Sequence, residues 1–291
     1  MAQEITSSLV WQWLPQRKAD SHKGSYGNLL AVCGSDSFRG AAVLCSLGAL
    51  RTGCGILTVA CTQTVASTVM THCPEAVLLV CKQSSEGGLY AGDTGQILGK
   101  LAKFNALVLG PGLGNTAGTS QIVELLASAA AGHVVLDADA LNAVAGLPQL
   151  PRPVERTLVL TPHPGEMARL CGLTIAEVNA NRESIAAGYA RANQCVVVLK
   201  GHHTIVAGPD GQVLRNSTGN PGLARGGSGD VLSGMIGSFL AQGLSPLHAA
   251  ACGVWLHGAA ADRTAQRLGQ YGMLPQDIFQ DLGQLFAENG R

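Results

Sequence analysis

The residues with the clearest chemical reach lie in one glycine-rich stretch, Asn216-Ser217-Thr218-Gly219-Asn220-Pro221-Gly222-Leu223-Ala224-Arg225-Gly226-Gly227-Ser228-Gly229-Asp230. An amphipathic run follows at once, Val231-Leu232-Ser233-Gly234-Met235-Ile236. A helix starting around Gly229 would present free backbone N–H groups and the positive end of its dipole, which together bind an anion such as a phosphate. Small residues let that backbone approach its ligand. Asp230, in the first turn, has a reference pKa of about 3.9, would stay ionised near neutral pH on that value, and could accept a proton from a substrate hydroxyl. Aspartate is also a preferred residue at helix starts, so capping is the competing account of Asp230.

Four further segments end apolar runs in polar groups. Gly110-Pro111-Gly112-Leu113-Gly114 follows the run at 106–109 and precedes a helical pattern, the position at which open parallel sheets bind ligands. Leu136-Asp137-Ala138-Asp139-Ala140-Leu141-Asn142 carries two carboxylates that could lie near a substrate or magnesium, or in the case of Asp139 cap a helix. Thr161-Pro162-His163-Pro164-Gly165-Glu166 stiffens a loop around a histidine with two prolines; Glu166 could serve only as a first-turn helix charge. Lys200-Gly201-His202-His203-Thr204 offers a cation that can meet phosphate as a point charge, against the plainer reading of a solvated edge-strand lysine. The two neighbouring histidines, if on a strand, point to opposite faces and make a poor chelating pair. Neither a Walker A motif nor a Gly-x-Gly-x-x-Gly followed by an acidic residue about twenty positions on is present, so phosphate must be handled by another loop.

The elements that must position these residues are legible as an alternation. Short apolar runs at 28–33, 56–61, 76–81, 106–109, 133–136, 157–160 and 195–199 are separated for the most part by alanine-rich segments of helical length, among them 40–52, 116–131 and 175–192. This pattern predicts an α/β fold with a mostly parallel sheet covered by helices on both faces. Runs at 204–207 and 212–215 flank Gly208-Pro209-Asp210-Gly211 and predict an antiparallel hairpin at one edge. Helical patterns at 230–242, 246–267 and 276–288 close the chain.

Composition narrows the partners. Nineteen basic residues balance nineteen acidic ones, so no overall field favours nucleic acid or an anionic membrane, and small molecules are the expected ligands. Glycine supplies 38 of 291 residues, nearly twice the ordinary ~7% share, which predicts many tight turns of the kind that hold phosphates. The nine cysteines form no C-x-x-C pair and mostly sit in apolar runs, as buried free thiols do. That, with no charged-then-apolar leader and no segment reaching the roughly 18 apolar residues of a membrane span, predicts a cytoplasmic protein.

Taken in order, these motifs resemble those of the ADP-dependent NAD(P)H-hydrate dehydratases, the YjeF C-terminal domain family of the ribokinase-like fold. The resemblance runs from about Lys23 to the last helix. It rests on Lys23-Gly24-Ser25-Tyr26-Gly27-Asn28, Gly34-Ser35 with Arg39-Gly40-Ala41, Ala49-Leu50-Arg51-Thr52-Gly53, Gly110 to Gly114, Asp137 to Asn142, Thr161 to Glu166, Lys200-Gly201 and Gly227 to Asp230. It implies repair of the S epimer of hydrated NADH or NADPH. ADP or ATP, with Mg2+ bridging its phosphates, phosphorylates the ring hydroxyl, and phosphate is then eliminated. By motif, Asp230 resembles the base, and Gly227, Ser228 and Gly229 the anion hole. Lys200, Gly201, His202, His203 and Thr204, with Gly229, would line the nucleotide site. Ala41, Gly112, Gly114 and His163, with Asp230, would contact the hydrate. The family more often has threonine where Ser228 stands, which keeps the hydroxyl. The resemblance further implies a homo-oligomer, a tetramer among the options, and a single catalytic domain over residues 1–291 without the N-terminal epimerase domain that many relatives carry. The competing enzyme is a vitamin-precursor kinase of the same fold, such as a hydroxyethylthiazole or hydroxymethylpyrimidine kinase, which would release a stable phosphate ester.

Overall fold

The computed structural model describes residues 2–153 and 156–291. Its strands are β1 (Gln3–Glu4), β2 (Asn28–Val32), β3 (Ile56–Thr62), β4 (Val77–Cys81), β5 (Ala106–Leu109), β6 (His133–Leu136), β7 (Leu158–Leu160), β8 (Val196–Leu199), β9 (Ile205–Ala207) and β10 (Val213–Arg215). Its helices are α1 (Ser7–Trp13), α2 (Arg39–Arg51), α3 (Gln63–His72), α4 (Thr94–Leu98), α5 (Ala117–Ala129), α6 (Asp139–Val144), α7 (Pro164–Cys171), α8 (Ile175–Ala180), α9 (Arg182–Asn193), α10 (Ser228–Ala241), α11 (Pro246–Gly272) and α12 (Ile278–Glu288). The ten strands form one sheet in the order β1-β10-β9-β8-β7-β6-β5-β2-β3-β4. Pairings from β8 through β4 are parallel, and β9 is antiparallel to both its neighbours.

The apolar runs become strands because both their faces are covered. In β2, Leu29 and Ala31 enter one core while Leu30 and Val32 enter the other, and β5 and β8 alternate in the same way. The first core is closed by α1, α2, α3, α10, α11 and α12, the second by α4 to α9. This is the burial on both sides that continuous Val/Leu/Ala runs require.

Three details differ from the sequence expectations. The hairpin does not form the outermost edge, because β1 pairs in parallel with β10 beyond it. The segment 175–192 is two helices, since Asn181 takes φ −133° and ends α8 before α9 begins. Arg182 then reaches from the start of α9 to the carbonyls of Leu199 at 2.8 Å and Lys200 at 3.3 Å, tying that helix to the end of β8. Finally, β8 lies between β7 and β9, so Lys200 leaves an interior strand and not an edge.

From β2 the chain builds outward through β3 and β4, then returns to add β5 to β8 on the other side. The direction of winding reverses between β2 and β5, where open α/β sheets form their ligand crevice. The loops after these strands touch: Gly34 N–H donates to Pro111 O at 2.8 Å and Ser35 Oγ to Gly112 O at 2.8 Å. Helices α2 and α10 pack closely side by side and run the same way, with Leu44 against Gly227, Gly48 against Val231 and Thr52 against Gln242. Both N-termini therefore open toward the crevice.

Candidate active site

Helix α10 begins at Ser228, one residue before the expected start, with Gly227 as its N-cap at φ 98°. A side chain at Gly227 would be strained at that φ and would press on Leu44 Cδ1 at 2.5 Å. No side chain caps this helix. The Ser228 N–H donates to Arg225 O at 3.3 Å, whereas Gly229 and Asp230 lie in the first turn, where amides have no carbonyl ahead of them along the helix. The Ser228 hydroxyl is buried and, among the described residues, has no hydrogen-bond partner. A buried hydroxyl without a partner costs roughly 1–3 kcal/mol, so this helix end is built for an acceptor that comes from outside the chain.

Beside it, the ends of three adjacent strands deliver a charged cluster. Lys200, after β8, places Nζ 2.8 Å from Asp137 Oδ1, after β6, and 3.8 Å from Glu166 Oε2 in the first turn of α7. Thr161, after β7, donates its hydroxyl to Asp137 Oδ1 at 2.7 Å. A Cβ on Gly229 would lie 3.3 Å from Lys200 Nζ, so the ammonium rests directly against the first turn of α10. Lys200 is therefore no solvated lysine: Asp137 and Glu166 are buried, and their attraction outweighs the downward push of burial and holds the ammonium pKa above its ordinary value.

Asp230 does not keep the ordinary carboxylate pKa assumed from sequence. Burial first, then the neighbouring carboxylate of Asp137, pushes it up to about 7, against the opposing pull of Lys200. Glu166 is also raised, chiefly by burial, with Lys200 pulling the other way. One carboxyl of the site is thus poised to exchange a proton near neutral pH.

The remaining expected residues divide. Ala41 and Gly112 come together: at φ 64°, a Cβ on Gly112 would lie 2.8 Å from Ala41 Cβ and 2.7 Å from Phe38 Cβ. Gly114 donates its N–H to Asp139 Oδ2 at 2.8 Å, so Asp139 pins the glycine turn and does not cap α6. Between the two aspartates, Ala138 takes φ 49°, a costly conformation for a residue with a Cβ. His163 is the N-cap of α7: its Nδ1 accepts from Gly165 N–H at 3.0 Å and Glu166 N–H at 3.4 Å, while Glu166 Oε2 accepts from His163 N–H at 2.7 Å. Nε2 lies 3.3 Å from Glu166 Oε1, and the ring is half-exposed. His202 and His203 lie on the turn after β8, not on a strand, and their rings approach to 3.9 Å between centroids. Gly201 (φ 140°) and Thr204, whose hydroxyl donates to Gly201 O at 3.1 Å, shape the same turn.

The partnership of Asp137, Thr161 and Glu166 with Lys200 was not visible as such in the sequence. Each ends a strand or starts the next helix, and only the sheet order β6-β7-β8 makes them neighbours. Among the described residues no three His, Cys, Asp or Glu side chains converge as a cation cage. Two carboxylates beside an anion site suit magnesium carried on nucleotide phosphates.

The chain spans about half the length of bifunctional NAD(P)H-hydrate repair enzymes that it matches: it is 43% identical to the one from Moorella thermoacetica over 94% of this chain and 52% of that protein. It is 42% identical to an ADP-dependent (S)-NAD(P)H-hydrate dehydratase of Neisseria meningitidis serogroup B, over 90% of this chain and 86% of that one. A crystal structure of the ADP/ATP-dependent NAD(P)H-hydrate dehydratase from Bacillus subtilis, co-crystallised with ATP and Mg2+, superposes with a TM-score of 0.86 at 34% identity, covering 99% of both chains. The fold is ribokinase-like. A hydroxyethylthiazole kinase from Pyrococcus horikoshii, at 15% identity and a TM-score of 0.57 over 91% of this chain and 89% of that one, shares the fold alone. The family model of NAD(P)H-hydrate dehydratase matches residues 29–284, and with these relatives it shows that the chain belongs to the NAD(P)H-hydrate dehydratase family.

Proposed function

We propose that this chain dehydrates the S epimer of NADH hydrate and NADPH hydrate, with ADP or ATP as phosphoryl donor, and so restores the reduced nicotinamide. The observation that carries the proposal is Asp230, raised to about 7 in the first turn of an uncapped helix whose Ser228 hydroxyl has no partner among the described residues. Above that value Asp230 is an ionised carboxylate that accepts the proton of the substrate's ring hydroxyl. The freed oxygen attacks the terminal phosphorus as the bond to the nucleotide's leaving oxygen breaks. Phosphate then departs with the electrons of the ring C–O bond while a proton leaves the adjacent ring carbon, which re-forms the double bond.

The amides of Gly227 and Gly229, with the hydroxyl of Ser228, form the anion hole for the transferring group, and the helix dipole favours the charge there. Lys200 adds a point charge against Gly229 and, through its pairing with Asp137 and Glu166, is held in place without a rotamer search. Gly201, His202, His203 and Thr204 border the nucleotide, and Ala41, Gly112, Gly114 and His163 border the hydrate. Magnesium would supply charge neutralisation on the nucleotide phosphates, with Asp137 and Glu166 the carboxylates that would hold it. The same reading takes residues 1–291 as one catalytic domain, cytoplasmic and homo-oligomeric.

Purified protein, magnesium and either nucleotide, incubated with NADPH hydrate, should return the reduced-nicotinamide absorbance in proportion to nucleotide consumed. A stable phosphorylated product without NADPH would support the vitamin-precursor kinase instead.

A further inference from the structure

Arg39 and the outer face of α3 border an open groove of about 480 Å³, lined by Arg39, Gln63, Thr64, Ser67, Thr68 and Thr71 among others. It shares a wall with the crevice. Gly34 is wedged between Val65 of α3 and Ala42 of α2, where a Cβ would lie only 2.8 Å from Val65 Cγ1 and 2.9 Å from Ala42 Cβ, and the same residue donates to Pro111 in the glycine turn. Because α2 lies alongside α10 with Leu44 against Gly227, Arg39, five residues earlier, stands about 7.5 Å further out along the helix axis. The groove is thus reached by a ligand that starts at Asp230 and extends outward past Ala41.

Its chemistry is specific. Ser67, Thr68 and Thr71 donate their hydroxyls back to the carbonyls of Gln63, Thr64 and Ser67 at 2.9–3.2 Å, which leaves their oxygens as acceptors for sugar hydroxyls. Arg39 is exposed, spends only its Nε on the Asp36 carbonyl at 3.1 Å, and among the described residues has no carboxylate partner. Asp36 accepts from Gln83, and Thr64 donates to Gln83, so the arginine's loop and α3 are braced against each other. A guanidinium fork beside a row of acceptor oxygens matches a phosphorylated ribose.

We propose that this groove takes the adenosine half of the dinucleotide, with the Arg39 guanidinium on the 2′-phosphate where one is present, so that Arg39 favours NADPH hydrate over NADH hydrate. This rests on the hydrate-dehydratase reading above, in which the phosphoryl donor enters from β8 and β9 and leaves the β2 and β3 side of the sheet to the substrate. In Rossmann dinucleotide folds a carboxylate on the ribose 2′-hydroxyl, or an arginine on a 2′-phosphate, makes the same distinction.

Arg39→Gln should raise the KM for NADPH hydrate, relative to that for NADH hydrate, about tenfold, the loss of one charge-assisted pair. Arg39→Lys should recover part of the difference, as a point charge without the fork. Equal effects on both hydrates, or no effect, would overturn the proposal. Should the wild-type protein turn over neither hydrate, the activity reading fails while the groove is still tested by direct titration with adenosine 2′,5′-bisphosphate. Binding about tenfold weaker in Arg39→Gln, and abolished by filling the groove with Ser67→Tyr, supports it; unchanged binding in both variants overturns it.

Discussion

Two helices start beside Lys200, Glu166 in the first turn of one and Gly229 in the first turn of the other, and they are finished in opposite ways. Helix α7 is closed by a reciprocal box in which His163 and Glu166 satisfy each other's backbone amides. Helix α10 has a glycine at its cap, no side-chain cap hydrogen bond and a buried serine hydroxyl that, among the described residues, has nothing to bond. A closed N-terminus stabilises the fold, typically by ~1 kcal/mol. An open one forgoes that stabilisation and keeps its donors for a ligand. The uncapped start of α10, more than the position of a histidine or a lysine, is what supports placing the proposed phosphate chemistry there.

The largest expected effect breaks the open end. Asp230→Asn removes the proton acceptor but preserves size and the phosphate-holding amides, so kcat should fall by about 10²- to 10⁴-fold while nucleotide affinity stays largely intact. A folded variant keeping more than about a tenth of the wild-type rate would make Asp230 a helix residue only.

The pH dependence sharpens the same point. The wild-type rate should rise as pH passes through about 7, where Asp230 loses its proton. Unfolding returns this carboxyl toward 3.8, so between about pH 4 and 7 the unfolded chain has released a proton that the folded chain retains, and stability falls as pH rises. Asp230→Asn should consequently melt above the wild type at pH 8, with the gap closing toward pH 4. Equal melting temperatures at both pH values would show that the carboxyl is not strained by its surroundings.

Next comes the cluster between the two helices. Lys200→Met leaves Asp137 almost fully buried with Thr161 as its remaining donor, and Glu166 without its cation. Loss of one member of a buried pair costs about 3 kcal/mol or more, readable by urea denaturation. Because Lys200 pulls the Asp230 pKa down, the same variant should move the rate profile to higher pH. A loss in nucleotide affinity with no change in stability or profile would make Lys200 purely a phosphate contact.

The smallest effect belongs to the closed end. His163→Ala should lose about 1 kcal/mol of stability, whereas His163→Asn restores the cap. If hydrate affinity recovers with asparagine as well, His163 acts through the fold of its loop; if only stability recovers, the imidazole itself meets the substrate.

Much of this arrangement was legible in the chain. The apolar runs gave the strands nearly to the residue, as at Ala106–Leu109 and His133–Leu136, since a strand buried on both faces has little freedom in composition. Gly227 to Asp230 announced an uncapped helix start through local chemistry alone: glycine's conformational freedom, the start of an apolar run and a carboxylate in the first turn. The family's motifs were recognisable in order for the same reason, because each is a short segment at a strand end.

What the sequence could not carry were properties that arise between segments. The break at Asn181 depends on Arg182 reaching carbonyls 17 and 18 residues away. Placing Lys200 in the interior depended on how β9, β10 and β1 extend the sheet. The pKa of Asp230 depends on burial and on Asp137, 93 residues earlier in the chain. Sequence determines which groups are present and which backbone each can adopt; desolvation and Coulomb interaction act through space, and only the packed sheet brings two aspartates and a lysine close enough to turn an ordinary carboxylate into one that titrates near 7.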